Sequence, residues 1–165
     1  MTKEKLEQAI TEIKNHREEI ITRLVQFSKT DSLLFWDKEV SLYEKQEELW
    51  GPILKWAHHN LNAKYMTTDK MEVVEQKKNT LQGLKKFLET MSDKELAAFY
   101  LASINMKSEL LAAALVRGFI NAETAYNAAY LEEISQAERW GKDENAEQKR
   151  QALKKELIDI ENFLK

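Results

Sequence analysis

The sequence predicts an all-α protein, folded as a compact bundle of about six or seven helices without a coiled-coil repeat. Only four glycines and one proline occur in 165 residues, and sheets and tight turns need these residues more often than helices do. Apolar residues recur at the three- and four-residue spacing of a helix face along most of the chain. Alanine-rich stretches between them would allow the helices to pack closely.

The composition is typical of a folded, water-soluble protein and excludes several classes of function. Hydrophobic residues make up 43% and charged residues 32% of the chain, which is too apolar for a disordered segment. The net charge is −3 with both signs interspersed, so no basic patch for nucleic acid is predicted. The absence of cysteine excludes disulfides and thiolate chemistry. The longest apolar run, Leu110 to Val116, is too short to insert into a membrane.

The first ten residues, MTKEKLEQAI, do not have the pattern of a targeting segment. They are too acidic and too polar for a secretory signal, and they lack the arginines of a mitochondrial transit peptide. We therefore expect a cytoplasmic protein, or one of the mitochondrial matrix if a transit peptide has been removed.

The first third of the chain predicts two helices and a connector. Residues 3–28 have helical periodicity, but the polar stretch at 15–19 predicts that residues 1–28 form an N-terminal arm projecting from a helical domain over 29–165. A connector with the apolar segment Leu33 to Trp36 follows. A second helix is predicted from Glu39 to Leu61, with a kink or restart at Gly51-Pro52 because proline removes a backbone donor.

Helix-capping residues divide the middle of the chain. A third helix is predicted over 71–91, and Ser92 with Glu95 forms a capping-box pattern that begins a fourth over 93–104. Ser108 is a candidate cap for a fifth helix over 109–117, although the fourth and fifth could equally be continuous. Gly118 is a predicted helix stop and Asn121 the next N-cap. A last helix is predicted over 144–164.

Residues 125–141 are predicted to form a single amphipathic helix, which has one exception to its pattern. Glu133 falls within the apolar arc, where its helical neighbours are Ala129, Tyr130, Ala137 and Trp140. A carboxylate in such surroundings is either paired inside the protein or a contact point for a partner. Both interpretations remain open from the residues alone.

No catalytic or metal-binding pattern is present in the sequence. His58 and His59 are adjacent and point in different directions on a helix, so they cannot share a metal. His16 lies near Glu12 and Glu19, but a solvated helix face explains this grouping better. Neither a glycine-rich phosphate loop nor a nucleophile elbow occurs. We expect no enzymatic activity, no cofactor and no metal.

Five segments, in their order along the chain, resemble one known family. They are TDSLLFW at 30–36, QEELWGPILKWA at 46–57, SDKELAAF at 92–99, SELLAAALVRGFINAETAY at 108–126 and LEEISQAERWG at 131–141. Together they resemble the ATP synthase F1 complex assembly factor 2 family, known in mitochondria and alphaproteobacteria, over about 17–164. The chain departs from that pattern at Lys107 and Glu109, which are charged where the family is more apolar. The resembling segments do not include the family's N-terminal, mostly β domain, which we expect to be absent from this chain.

The resemblance implies a chaperone that does not hydrolyse ATP. Such a protein would bind the unassembled alpha subunit of F1 ATP synthase and prevent its aggregation before the alpha–beta ring forms. The family's signature carboxylates correspond to Glu132 and Glu133, and the same segment contributes Gln136 and Trp140. The connector motif adds Asp31 and Trp36 as further candidate contacts. The alternative prediction is a helical adaptor or scaffold module for a different protein partner.

Overall fold

The computed structural model describes residues 2–165 and confirms an all-α fold. Across these residues, eight α-helices follow one another: α1 (Thr2–Ser28), α2 (Val40–Asn60), α3 (Lys78–Glu89), α4 (Asp93–Met106), α5 (Glu109–Val116), α6 (Ala122–Ala129), α7 (Leu131–Trp140) and α8 (Glu144–Leu164). A 3₁₀ helix, Ser32–Leu34, lies between α1 and α2. No helix among these residues is both long and apolar enough to cross a membrane.

Helices α4 and α5 form the centre of the bundle, and their caps explain why they are separate. The Ser92 hydroxyl accepts from the Glu95 amide at 3.1 Å, and the Glu95 carboxylate accepts from the Ser92 amide at 3.1 Å, so the predicted capping box is confirmed. Lys107 ends α4 in the left-handed conformation, with φ of 54°. Ser108 then begins α5 by accepting from the Leu111 amide. The predicted cap at Asn121 is also confirmed.

Helix α1 is part of the bundle, and the prediction of a projecting arm over 1–28 is wrong for the described residues 2–28. Its apolar residues, among them Leu6 and Ile13 in the half that was expected to project, are buried in the same core as α4 and α5. Arg17 lies within the polar stretch and donates to the Asp93 carboxylate at 2.8 Å and to the Met91 carbonyl, both at the start of α4. Through Arg17, the polar stretch is therefore tied to the beginning of α4. The helix bends at His16, where φ is −138° and ψ is 36°.

Of the kink or restart predicted at Gly51-Pro52 the restart is not found, and the predicted start of the third helix is wrong. Helix α2 does not restart at Gly51-Pro52 but continues to Asn60; Pro52 is exposed, so water can serve the carbonyl that its ring leaves unpaired. Helix α3 begins at Lys78 rather than at 71. The buried Gln76 side chain instead pairs with the backbone of Met66, accepting from its amide at 2.8 Å and donating to its carbonyl at 2.9 Å. This pairing holds the preceding residues outside the helix.

The predicted single helix over 125–141 is two helices. Helix α6 ends at Ala129, Tyr130 has non-helical backbone angles with φ of −107° and ψ of 21°, and α7 begins at Leu131. The helical neighbours expected for Glu133 therefore do not form as one continuous face. The position of α7 is described with the candidate site below.

A close contact between α3 and the end of α2 generates the first prediction. A Cβ atom on Gly83 would lie 2.5 Å from the carbonyl oxygen of Asn62 and 2.6 Å from that of Leu61, both backbone atoms. Gly83→Ala should therefore lower the free energy of unfolding by about 1–3 kcal/mol, as overpacking does. Gly51→Ala, within α2 and facing open space, should instead raise it by up to about 1 kcal/mol. Urea unfolding of both variants tests the contact, and equal effects would contradict it.

Candidate functional site

Helix α7 lies on the outside of the bundle and carries the most exposed tryptophan of the chain. Only Leu131 among its residues is buried, and Trp140 at its end is 80% exposed. A large aromatic side chain left open to water is uncommon in a folded protein and is frequent at protein-binding surfaces. We call α7 and the two grooves beside it the α7 surface.

Hydrogen bonds from two distant elements fix where α7 begins. The buried Trp50 indole of α2 donates to the carbonyl of Ala128 at 2.8 Å, two residues before the break. The hydroxyl of Tyr130, at the break itself, donates to the carbonyl of Asn105 in α4 at 2.5 Å. The Asn105 amide in turn donates to the Leu153 carbonyl and the Glu156 carboxylate of α8. Helices α2, α4 and α8 thereby set the direction in which α7 leaves the bundle.

One groove of the α7 surface, the α2–α7 groove, has a volume of about 440 Å³ and is lined mainly by polar residues. Arg139 of α7 donates to both carboxylate oxygens of Glu39 just before α2, and the ion pair joins the two helices. Hydrogen bonds from Arg139 and from Ser41 lower the pKa of Glu39 to about 2. Burial and the nearby Asp37 carboxylate raise the pKa of Glu132. The groove is thus lined both by Glu39, which is paired, and by Glu132, for which no ion pair is found among residues 2–165.

The other groove, the α7–α8 groove, is larger, at about 890 Å³, and lies between α4, α7 and α8. Glu133 points into it and not into an apolar arc: its side chain is 57% exposed, and its carboxylate lies 3.7 Å from the Arg150 guanidinium of α8. Arg150 is almost buried, with 9% of its side chain exposed. Gln136 and Trp140 line both grooves. Glu133 therefore has an internal partner and an open side at once.

The structure brings four of the six predicted contact residues together. Glu132, Glu133, Gln136 and Trp140 lie on α7, and each lines at least one of its grooves. Asp37, Glu39, Arg139 and Arg150 also belong to this surface and were not predicted; the Glu39–Arg139 pair spans 100 positions of the chain, so no local sequence pattern could have revealed it.

Trp36 lies beside this surface and not within its grooves. Its ring is half-buried, 5.2 Å from Tyr43 and 6.0 Å from Trp50 between ring centroids. Its indole donates to the carbonyl of Leu33 at 2.8 Å. Trp36 thus packs between the connector and α2, close to the start of the α2–α7 groove.

Asp31 is far from being a surface contact, because it is 1% exposed. Its carboxylate accepts from the Leu33 amide, which caps the 3₁₀ helix, and from the Leu110 amide at the start of α5, each at 2.9 Å. Glu109, 5% exposed, lies beside it. Burial raises the pKa of Asp31 to about 6, and burial together with the Asp31 charge raises that of Glu109 to about 8. The prediction of Asp31 as an accessible contact residue is not supported by this position.

Comparison with protein-family models and with known proteins found similarity to ATP12 proteins. Residues 2–58 match the model of the family described as ATP12 chaperone protein. The chain is similar to protein atp12, mitochondrial, of Schizosaccharomyces pombe, with 28% identity over 145 residues that cover 83% of this chain and 50% of the relative. It therefore spans about half the length of that relative.

Solved structures show the same similarity. The crystal structure of Atp12 from Paracoccus denitrificans has 29% identity and a TM-score of 0.88 over 94% of this chain and 67% of that one. A protein from Agrobacterium tumefaciens has 26% identity and a TM-score of 0.85, covering 94% of this chain and 59% of that one. Among residues 2–165, no group of three or more acidic or histidine side chains is arranged to hold a metal.

The Trp50–Ala128 hydrogen bond generates a prediction about α7. Trp50→Phe leaves the Ala128 carbonyl buried without this donor, which should lower the free energy of unfolding by about 1–3 kcal/mol. It should also speed amide hydrogen exchange in α7, because the helix loses its anchor. Trp56→Phe is the matched control, since no hydrogen bond from the Trp56 indole is found within residues 2–165. Unchanged exchange in α7 of the Trp50 variant would show that the bond does not hold the helix.

The buried Asp31–Glu109 pair predicts how stability depends on pH. Both pKa values lie above those of the unfolded chain, 3.8 and 4.5, so the folded protein binds protons more tightly and loses stability as pH rises through about 6 and 8. Glu109→Gln removes one charge and should be more stable than the wild type at about pH 9, by on the order of 1 kcal/mol or more. At about pH 4 the two should unfold alike. Urea unfolding across this range tests the sign, and parallel profiles would contradict it.

Proposed function

Because the chain belongs to the ATP12 chaperone family, we propose that it binds the unassembled alpha subunit of F1 ATP synthase. Binding would prevent the alpha subunit from aggregating before the alpha–beta ring forms. The alpha subunit is the partner that the sequence resemblance implies. The proposed place of action is the bacterial cytoplasm or the mitochondrial matrix, since one relative is a mitochondrial protein and another comes from the bacterium Paracoccus denitrificans.

The observation that carries this proposal is the exposure of Trp140 on a helix with a groove on each side. Binding energy at protein interfaces is concentrated in a few residues, among which tryptophan and arginine are enriched. The α7 surface offers Trp140 and Arg139 close together, with carboxylates of both grooves around them. Apolar area in the middle with charged groups at its edge is the usual arrangement of such an interface.

A binding surface alone is sufficient for the proposed activity. An alpha subunit without its beta neighbours exposes the large surface that the ring later buries, and surfaces of this kind aggregate. A protein that covers such a surface reduces the free concentration of the aggregating species by mass action. No chemical step is required of the chain.

Binding of purified F1 alpha subunit tests the proposal. The protein should form a complex with alpha at micromolar concentration, should not form one with beta, and should suppress light scattering by alpha alone. Trp140→Ala should weaken the complex at least tenfold, because the loss of a central aromatic contact costs about 2 kcal/mol or more. Its melting temperature should stay nearly unchanged, since the side chain is 80% exposed.

Met71→Ala is the matched control, because Met71 is also a large apolar residue, 98% exposed, but lies outside the α7 surface. It should bind alpha as the wild type does. Glu133→Gln and Glu132→Gln separate the two grooves, and we expect the former to weaken binding more because Glu133 lines the larger groove. Absence of an alpha complex, or equal binding of alpha and beta, would overturn the proposal. Enrichment of a different protein would favour the adaptor function instead.

A further inference from the structure

A small groove on another side of the bundle has apolar walls and an acidic base. It lies between α1, α4 and the start of α5 and has a volume of about 370 Å³; we call it the α1–α4 groove. Leu24 and Tyr100 contribute to its walls. Phe27 and Ile104 also line it and are 54% and 56% exposed, although both are large and apolar. Glu109 lines the same groove and is 5% exposed.

The Glu109 carboxylate has no partner from another residue within residues 2–165. No side chain or backbone group of another residue donates a hydrogen bond to it, and no ion pair includes it. Asp31, by contrast, accepts from two backbone amides. Lys107 lines the rim of the groove, but its ammonium forms no ion pair with Glu109. A buried carboxylate in this state is costly to the fold and gains most from a cation brought to it.

We propose that the α1–α4 groove binds a primary alkylammonium group, such as the side chain of a lysine on a protein partner. The alkyl chain would lie along Phe27 and Ile104, and the ammonium would reach the Glu109 carboxylate. Lysine commonly combines these two contacts, with its stem on apolar surface and its charge on a polar group. The ammonium is compact and has three hydrogen-bond donors, so it suits a small groove that contains one carboxylate without a hydrogen-bond partner from another residue.

Binding of the cation releases a proton, and this gives the site a pH signature. Burial and the Asp31 charge favour the protonated form of Glu109, so the ammonium displaces that proton to solvent and holds the carboxylate as its counter-ion. The titratable and charged groups that face Glu109 from the elements around it are Asp31 of the connector, Tyr65 after α2, Tyr100 of α4 and Lys107 between α4 and α5. Affinity should therefore rise from about pH 6 to about pH 9, where an alkylammonium is still charged.

The groove also adjoins the α7–α8 groove, because Ile104 and Lys107 line both. A protein segment bound at the α7 surface would pass the open end of the α1–α4 groove, from which a lysine side chain could enter. The identity of the partner rests on the proposed function, but the affinity of the groove for an alkylammonium does not.

Hexylammonium chloride is the probe, titrated into the isotopically labelled protein and followed by the amide resonances of residues 104–110. We expect saturable shifts that grow stronger with pH, and none with hexanol, which has the same chain without the charge. Glu109→Gln should weaken binding at least tenfold. Glu123→Gln is the matched control, an exposed glutamate in the first turn of α6, and should bind as the wild type does.

Ile104→Ala provides a second variant, which should stay folded because the residue is 56% exposed. It should weaken hexylammonium binding several-fold. Equal binding of hexanol, unchanged binding by the Glu109 variant, or no shift at any pH would overturn the inference. The result is independent of the alpha subunit. Hexylammonium binding without an alpha complex would support the ammonium site and overturn the proposed function. An alpha complex without hexylammonium binding would support the proposed function and overturn the ammonium site.

Discussion

The hydrogen bond from the Trp50 indole to the Ala128 carbonyl helps to fix the shape of the α7 surface, the candidate functional site. As the single helix predicted over 125–141, this segment would place Glu133 within an apolar arc. The bond serves a carbonyl at the end of α6, and the Tyr130 hydroxyl, bonded to Asn105, holds the next turn. The chain therefore turns, and α7 projects with a groove on each side. The proposed binding of the alpha subunit at the α7 surface depends on this turn.

The carboxylates of Glu133 and of the Asp31–Glu109 pair differ in their effect on the stability of the fold. Glu133 is partly open and close to the buried Arg150, so its charge is compensated and its exposure costs little. Glu109 and Asp31 are buried together; burial raises the pKa of both carboxyl groups, and the Asp31 charge raises that of Glu109 further. A group that destabilises the fold and faces a groove is a better indicator of a ligand than one that is already paired.

The sequence predicted those features that depend on neighbouring residues. The all-α class, the capping box at Ser92 and Glu95, the caps at Ser108 and Asn121, and the last helix all follow from local chemistry, and the structure confirms them. The wrong predictions concern segments whose structure depends on a residue elsewhere in the chain. Gln76 holds residues before α3 outside a helix by bonding Met66, and Arg17 ties α1 to α4.

The candidate site shows the same distinction between residues of one segment and contacts between distant segments. Four residues of one short segment were predicted, because they share a motif, whereas the Arg139–Glu39 and Arg150–Glu133 pairs join residues that no local pattern connects. Asp31 was predicted as a contact because it belongs to the connector motif, but its carboxylate accepts hydrogen bonds from two backbone amides inside the protein. A motif identifies which residues matter, and only the fold shows whether they matter to the protein itself or to a partner.

The exposure of Trp140 also gives the protein an intrinsic optical reporter. The other three tryptophans are buried or half-buried, so their emission comes from apolar surroundings. Trp140 alone is largely surrounded by water, and its fluorescence should be the red-shifted, collisionally quenched part of the spectrum. Any molecule that covers α7 would shift that emission to the blue and shield it from iodide, so the surface can be observed without a label.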